Sequence, residues 1–263
     1  CAVGVNIRIK NNSIVWLGLS NQIPDTAILT ITNHTGGDVR LDLQGNNETI
    51  GGLIVLKTGG NIIVEAAVDG TSGKPATLTI DTAGGQVYTY DGYMRNGVTA
   101  PASILSLVKE GAGMQALVSS QVSYSGPTGI NGGILMLSNT TAFASDVLIN
   151  EGHLLLGTQT AANNRNITNQ AVNGLAFGTF TNAYTIGMLS GTGNVALIGG
   201  NGGGVALTLG NQGNARGIYS GVLSDAGPGN YYMGSVIKVG NSTQVLAGAN
   251  TYRGGTTISA GGL

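Results

Sequence analysis

VKEGAGMQALVSSQVSYSG, residues 108–126, and IKVGNSTQVLAGANTYRGG, residues 237–255, are versions of one another. Lys109 matches Lys238 at an offset of 129, and Tyr124 matches Tyr252 at 128. Working outward, NNSIVWLG ending at Gly18 resembles NEGHLLLG ending at Gly157, an offset of 139, and TIGGL at 49–53 resembles TIGML at 185–189, an offset of 136. The order is kept while the offset shrinks in small steps, which is what loop insertions in two copies of one long unit produce. The chain therefore reads as residues 1–133 and 134–263, two repeat units of one continuous architecture.

Within the units, short runs alternate apolar and polar residues. Val5, Ile7 and Ile9, then Val39, Leu41 and Leu43, then Ala76, Leu78 and Ile80, and later Val205, Leu207 and Leu209 each recur with period two. Period two is the signature of a strand with one buried face. Gly59-Gly60-Asn61, Asn131-Gly132-Gly133 and Gly199-Gly200-Asn201-Gly202 supply turn residues between such strands. The stretch 100–110 is the best helical candidate, but Ser103, Ser106 and the following glycines favour strand or loop.

Composition agrees. Gly, Asn, Ser and Thr make up 115 of 263 residues and only 9% of the chain is charged, yet the mean hydropathy is +0.20. Disorder wants low hydrophobicity and high net charge, whereas the net charge here is −1. Collagen fails for want of a three-residue Gly period with abundant Pro, and a helical bundle would not carry 46 glycines. An all-β chain remains. With a pI near 6.1 and 11 scattered basic residues there is no basic stripe for nucleic acid, and no apolar run is long enough for a transmembrane helix.

The segment 235–263, SVIKVGNSTQVLAGANTYRGGTTISAGGL, closely resembles the autotransporter-associated β-strand repeat, also called the passenger-associated transport repeat. The matching positions are Lys238, Gly240, Val245, Leu246, Gly248, Asn250, Thr251, Tyr252, Gly254, Gly255, Thr256, Thr257, Ile258, Gly262 and Leu263. The first copy keeps Lys109, Gly111, Gly113, Tyr124, Gly126 and Ile130 but has Val122-Ser123 where the second has Asn-Thr. The resemblance implies a right-handed parallel β-helix exposed on, or released from, a bacterial surface. A β-solenoid also explains the composition: apolar side chains turn inward and Gly and Asn make corners. Stacked Asn side chains can form ladders. Coils of about 20 residues would number about a dozen and make a rod of about 50–60 Å. The competing immunoglobulin-like sandwich predicts units of about 100 residues and a Cys, Trp, Cys arrangement, which is lacking.

Candidate chemistry is sparse. His34 and His153 stand without ligands at metal spacing, so no metal or other cofactor is expected. Asp38, Arg40 and Asp42 share a strand face and could mimic a polysaccharide lyase, but a solvated ion-pair row is the better account of them. Tyr88 and Tyr90 share a face with Tyr93 just beyond, which offers a lateral contact platform or simply aromatic packing. Cys1, the sole cysteine, stands where a bacterial lipoprotein carries its lipid, and a trimmed chain start explains it equally. The expectation is a non-enzymatic extracellular structural protein, a β-solenoid subunit of a surface fibre, filament or layer that self-associates end to end or laterally. The alternatives are an adhesin passenger that binds matrix or host-surface glycans, and a polysaccharide-acting enzyme on the same scaffold.

Overall fold

A computed structural model describes residues 5–67, 73–98, 102–179, 182–210, 216–227 and 230–263. Every regular element among the described residues is a strand, and the strands stack in parallel as a β-solenoid of about ten turns. The chain divides into two compact units, Cys1–Leu135 with Ala142–Ser145, and Met136–Thr141 with Asp146–Leu263.

In the first unit, Asn6–Lys10, Ile28–Asn33 and Gly52–Lys57 form one parallel sheet. Ile14–Trp16, Asp38–Asp42, Asn61–Glu65 and Tyr93–Arg95 form a second. Glu48–Ile50, Ala76–Asp81, Leu105–Glu110 and Thr128–Ile130 pair in parallel in a third sheet, and Val87–Tyr90 pairs with Met114–Leu117. The period-two residues supply the core. Val39, Leu41 and Leu43 are buried, and so are Ala76, Leu78 and Ile80. Parallel register sets Leu78 opposite Leu107 and Ile80 opposite Lys109. Because one face of each strand is packed inside, a slip of one residue would turn its apolar set outward.

The second unit repeats the pattern. Val147–Ile149, Ile167–Asn169, Leu189–Gly191, Arg216–Tyr219 and Thr243–Leu246 stack in order. Ala183–Thr185, Ala206–Leu209, Ser235–Lys238 and Thr256–Ile258 make a second face. Val205, Leu207 and Leu209 are buried. Among the described residues the antiparallel strand pair Ala226–Gly227 with Asn230–Tyr231 and the isolated antiparallel bridge Ile198–Gly204 depart from the parallel order.

Coils are longer than expected in places. Val147 pairs with Ile167, which fits the expected coil length, but Glu48 pairs with Leu78, a coil half as long again. The extra length goes into corner loops, and the turns are correspondingly fewer than a dozen.

Asparagine also behaves differently from the expected ladder. Asn47, Asn96, Asn166 and Asn194 each accept a hydrogen bond at Oδ1 from a backbone N–H of a neighbouring coil, those of Thr77, Ser125, Met188 and Val222, at 2.9–3.2 Å. Corners break the ladder and orphan backbone donors, and a buried orphan costs about 1–3 kcal/mol, so an amide oxygen is more useful there than on another Asn.

Candidate functional site: the two repeat corners

Lys109 and Lys238 end their strands with their side chains turned inward, both wholly buried. A buried ammonium must find acceptors. Lys109 Nζ donates to the carbonyls of Glu110 and Gly111, and Lys238 Nζ to those of Val239 and Gly240. The glycine two positions after each lysine lies in the left-handed region, φ 68° at Gly111 and 66° at Gly240, which turns those carbonyls toward the amine. Burial pushes the Lys109 amine down to about 8 and Lys238 in the same direction. Opposite each lysine, one coil on, stands the isoleucine of the motif: Lys109 pairs with Ile130, and Lys238 with Ile258.

The corner is closed from the next coil by glycine. A side chain on Gly133 would collide with the carbonyls of Gly111 and Gly113, and one on Gly261 with those of Gly240 and Ser242. Both also have positive φ, 57° and 76°.

Six positions beyond each lysine stands a buried glutamine that the sequence reading did not single out. Gln115 accepts from the Leu53 N–H and donates to the Leu53 carbonyl, both at 3.0 Å. Gln244 does the same to Leu189, at 3.0 and 2.7 Å. Each amide therefore replaces a peptide group. Gln115 pairs in register with Tyr88 yet reaches past it to Leu53, and Gln244 pairs with Gly217 yet reaches past it to Leu189. The strands so joined are poorly laddered: Gly52–Lys57 and Val87–Tyr90 belong to different sheets, and Leu189–Gly191 meets Arg216–Tyr219 only at Gly191 and Tyr219. The signal available in the sequence was the shared Lys-to-Gln spacing of six.

The tyrosines complete the motif. The Tyr124 hydroxyl bonds Thr128 Oγ1 at 2.7 Å, and that of Tyr252 bonds Thr256 Oγ1 at 2.5 Å, each four positions on. Tyr124 is buried edge-on against Phe143, with ring centroids 5.6 Å apart. Asn250 and Thr251 bracket Leu223: Asn250 Oδ1 accepts from its N–H and the Thr251 N–H donates to its carbonyl, both at 2.9 Å. In the first copy the Ser123 N–H still donates to the Met94 carbonyl, but the Met94 N–H goes to the Gln121 carbonyl. A backbone carbonyl thus does what the missing Asn would do. Gly254 and Gly126 both sit where a Cβ would strike a carbonyl of the adjacent coil. Gly255 and Pro127 each accept a backbone hydrogen bond, from Val236 and Leu107, which Pro can do because it keeps its carbonyl.

The other candidates fall elsewhere. Tyr88 and Tyr90 share a face, but it is the inner one: Tyr90 is buried with its hydroxyl on the Tyr93 carbonyl at 2.6 Å, and Tyr88 packs over Gly52. Tyr93, half-buried, alternates with the buried Met94 and so lies on the outer face of its strand. Arg40 pairs with Asp38 at 2.8 Å and with the buried Glu65 at 3.3 Å, and Arg95 adds a second cation to Glu65 at 2.9 Å. Asp42 instead turns to Gln44. His34 Nδ1 meets Thr58 Oγ1 and His153 Nδ1 meets the Asn173 carbonyl, each at 2.9 Å. Among the described residues no group of His, Cys, Asp and Glu could hold a metal ion, and no helix is long and apolar enough to cross a membrane. Cys1 lies outside the described residues.

The passenger-associated-transport-repeat family matches residues 107–137 and 236–263, the same two corners with their lysine, glutamine and tyrosine. No curated protein and no solved structure matches the chain. The chain thus carries two copies of the passenger-associated transport repeat, a repeat that points to a protein of the autotransporter passenger type.

Proposed function

We propose that the chain is a non-enzymatic structural protein of the bacterial exterior, a β-solenoid subunit that associates end to end or laterally into a surface fibre, filament or layer. One observation carries this reading. The distinctive polar residues of the repeat, Lys109, Gln115 and Tyr124 with their counterparts Lys238, Gln244 and Tyr252, all direct their hydrogen bonds to the protein's own corners and coils. Chemistry of that kind builds a scaffold. The repeat family suggests secretion to the cell surface, where a chain only 9% charged carries little repulsion between neighbours. Apolar side chains also stand outward on both units, among them Val87 in the first and Val172 and Ile218 in the second.

A lyase-like role finds no support in Asp38, Arg40 and Asp42, because the first two are tied to each other and the third holds a turn. Electron microscopy of the purified chain across a concentration series tests the proposal. Fibres, sheets or lateral bundles that grow with concentration are expected, and monodisperse particles at every concentration would contradict it.

A further inference from the structure

The chain has one tryptophan, and it lies on the outside. Trp16 ends the strand Ile14–Trp16 and is 61% exposed. It forms one wall of a cleft of about 360 Å³ completed by Leu17, Gly18, Gln44, Asn46 and Lys74, all within the first unit. A cleft of this size suits one or two sugar rings, since small-molecule sites usually begin at about 300 Å³.

The opposite wall is a fixed turn. Residues 43–46 are closed by the Asn46 N–H on the Leu43 carbonyl, with φ 52° at Gln44 and 69° at Gly45. Of the eight non-glycine residues with positive φ among those described, six are Asn, and Gln44 is one of the two exceptions. A left-handed glutamine costs about 1 kcal/mol and needs a reason to persist. The fully buried Asp42 holds it there: its Oδ1 accepts from the Gln44 N–H at 3.0 Å and its Oδ2 from Gln44 Nε2 at 2.7 Å. Asn46 is fixed in turn by donating Nδ2 to the Leu17 carbonyl at 2.7 Å. Lys74 rests on the same turn, since a Cβ on Gly45 would come within 2.6 Å of the Lys74 Cβ.

Hydrogen-bonding capacity is left over on every side. The indole N–H, Gln44 Oε1, Asn46 Oδ1 and the Lys74 ammonium have no partner among the described residues. An aromatic face beside fixed amides and one cation matches a pyranose ring. The ring's C–H face lies on the indole, its hydroxyls answer the amides, and an acidic substituent answers the lysine. A purely apolar partner would strand those amides, at the cost of unmade hydrogen bonds.

We propose that this cleft binds an anionic saccharide, stacked on Trp16, hydrogen-bonded to Gln44 and Asn46, and paired through its carboxylate or sulfate with Lys74. The site does not rest on the assembly reading, because it is complete in one unit and binding is read on dilute chain. Micrographs without fibres would leave it standing, and absence of binding would leave the fibre reading standing.

The test is isothermal titration calorimetry with tetragalacturonate and with its fully methyl-esterified form. Saturable binding of tetragalacturonate with Kd of about 1 mM or tighter is expected. Trp16→Ala, at an exposed position that spares folding, should weaken it about tenfold or more with an unchanged far-UV circular dichroism spectrum. Lys74→Gln should weaken the acid form about three- to tenfold and leave the ester unchanged, which separates charge recognition from stacking. Absence of saturable binding, or equal affinity in Trp16→Ala, would overturn the site. Equal affinity for acid and ester would overturn the assignment of an anionic ligand.

Discussion

The side-chain amide of Gln115 pairs with both backbone groups of Leu53, 62 residues earlier in the chain, accepting from its N–H and donating to its carbonyl at 3.0 Å each. Gln244 treats Leu189 in the same way across a separation of 55. A side chain stands in for a strand rung where a coil fails to supply one.

Replacing Gln115 by Leu keeps the volume roughly constant but strands the N–H and C=O of Leu53. Two unsatisfied buried groups cost about 2–4 kcal/mol together. Gln244→Leu should cost a similar amount. Urea denaturation checks both, and a loss under about 1 kcal/mol in either would refute the rung role.

Lys109 ties stability to alkaline pH. Its folded value is lowered from 10.5 to about 8 because burial disfavours the ammonium, against the pull of Asp81 and Glu110. Between about pH 8 and 10.5 the unfolded chain therefore holds a proton that the folded chain has released, so stability rises with pH. Lys238 is shifted the same way. The urea midpoint should climb from about pH 7.5 to 9.5, before unfolded tyrosines ionise, and climb less in Lys109→Met.

Glu65 is buried and its carboxyl is raised above the ordinary range by desolvation, which Arg95 and Arg40 only partly offset. Removing Arg95 leaves a buried carboxylate undercompensated, so Arg95→Met should cost about 2–3 kcal/mol at about pH 7. The folded state holds this proton more tightly than the unfolded chain, so the deficit should shrink as the pH falls toward about 5. Glu65→Gln should cost less than Arg95→Met. Denaturation at the two pH values separates the outcomes.

Gly133→Ala and Gly261→Ala combine positive φ with collision against carbonyls of the adjacent coil. Each should destabilise by about 2 kcal/mol or more. Gly36→Ala, where a Cβ meets nothing within 4 Å, should stay within about 0.5 kcal/mol. Thermal denaturation of the three variants decides it.

The strands were legible because period two is a local signal: Val39, Leu41 and Leu43 or Val205, Leu207 and Leu209 declare a buried face without any partner. The equivalence of Lys109 with Lys238, and of Tyr124 with Tyr252, was legible in the internal repeat. Other features depend on contacts that no local pattern encodes. Period two says that Tyr88 and Tyr90 share a face but not which face, and Gly52 beneath Tyr88 belongs to an earlier strand. Gln115 reads as one more polar residue in an alternating run, because its partner Leu53 lies far back in the chain. Asp42 reads as the third member of a charged row until its carboxylate is seen holding the left-handed Gln44. Trp16 gives no sign in sequence of being exposed.

The role of the repeat as a fastener between coils is tested most directly by native-state hydrogen exchange at the Leu53 amide, whose acceptor is a side chain rather than a strand. In the unaltered chain it should be protected to the same degree as the laddered Leu41 amide, and in Gln115→Leu its protection should fall at least tenfold while Leu41 keeps its own. Rapid exchange at Leu53 in the unaltered chain, or protection unchanged by Gln115→Leu, would contradict that role.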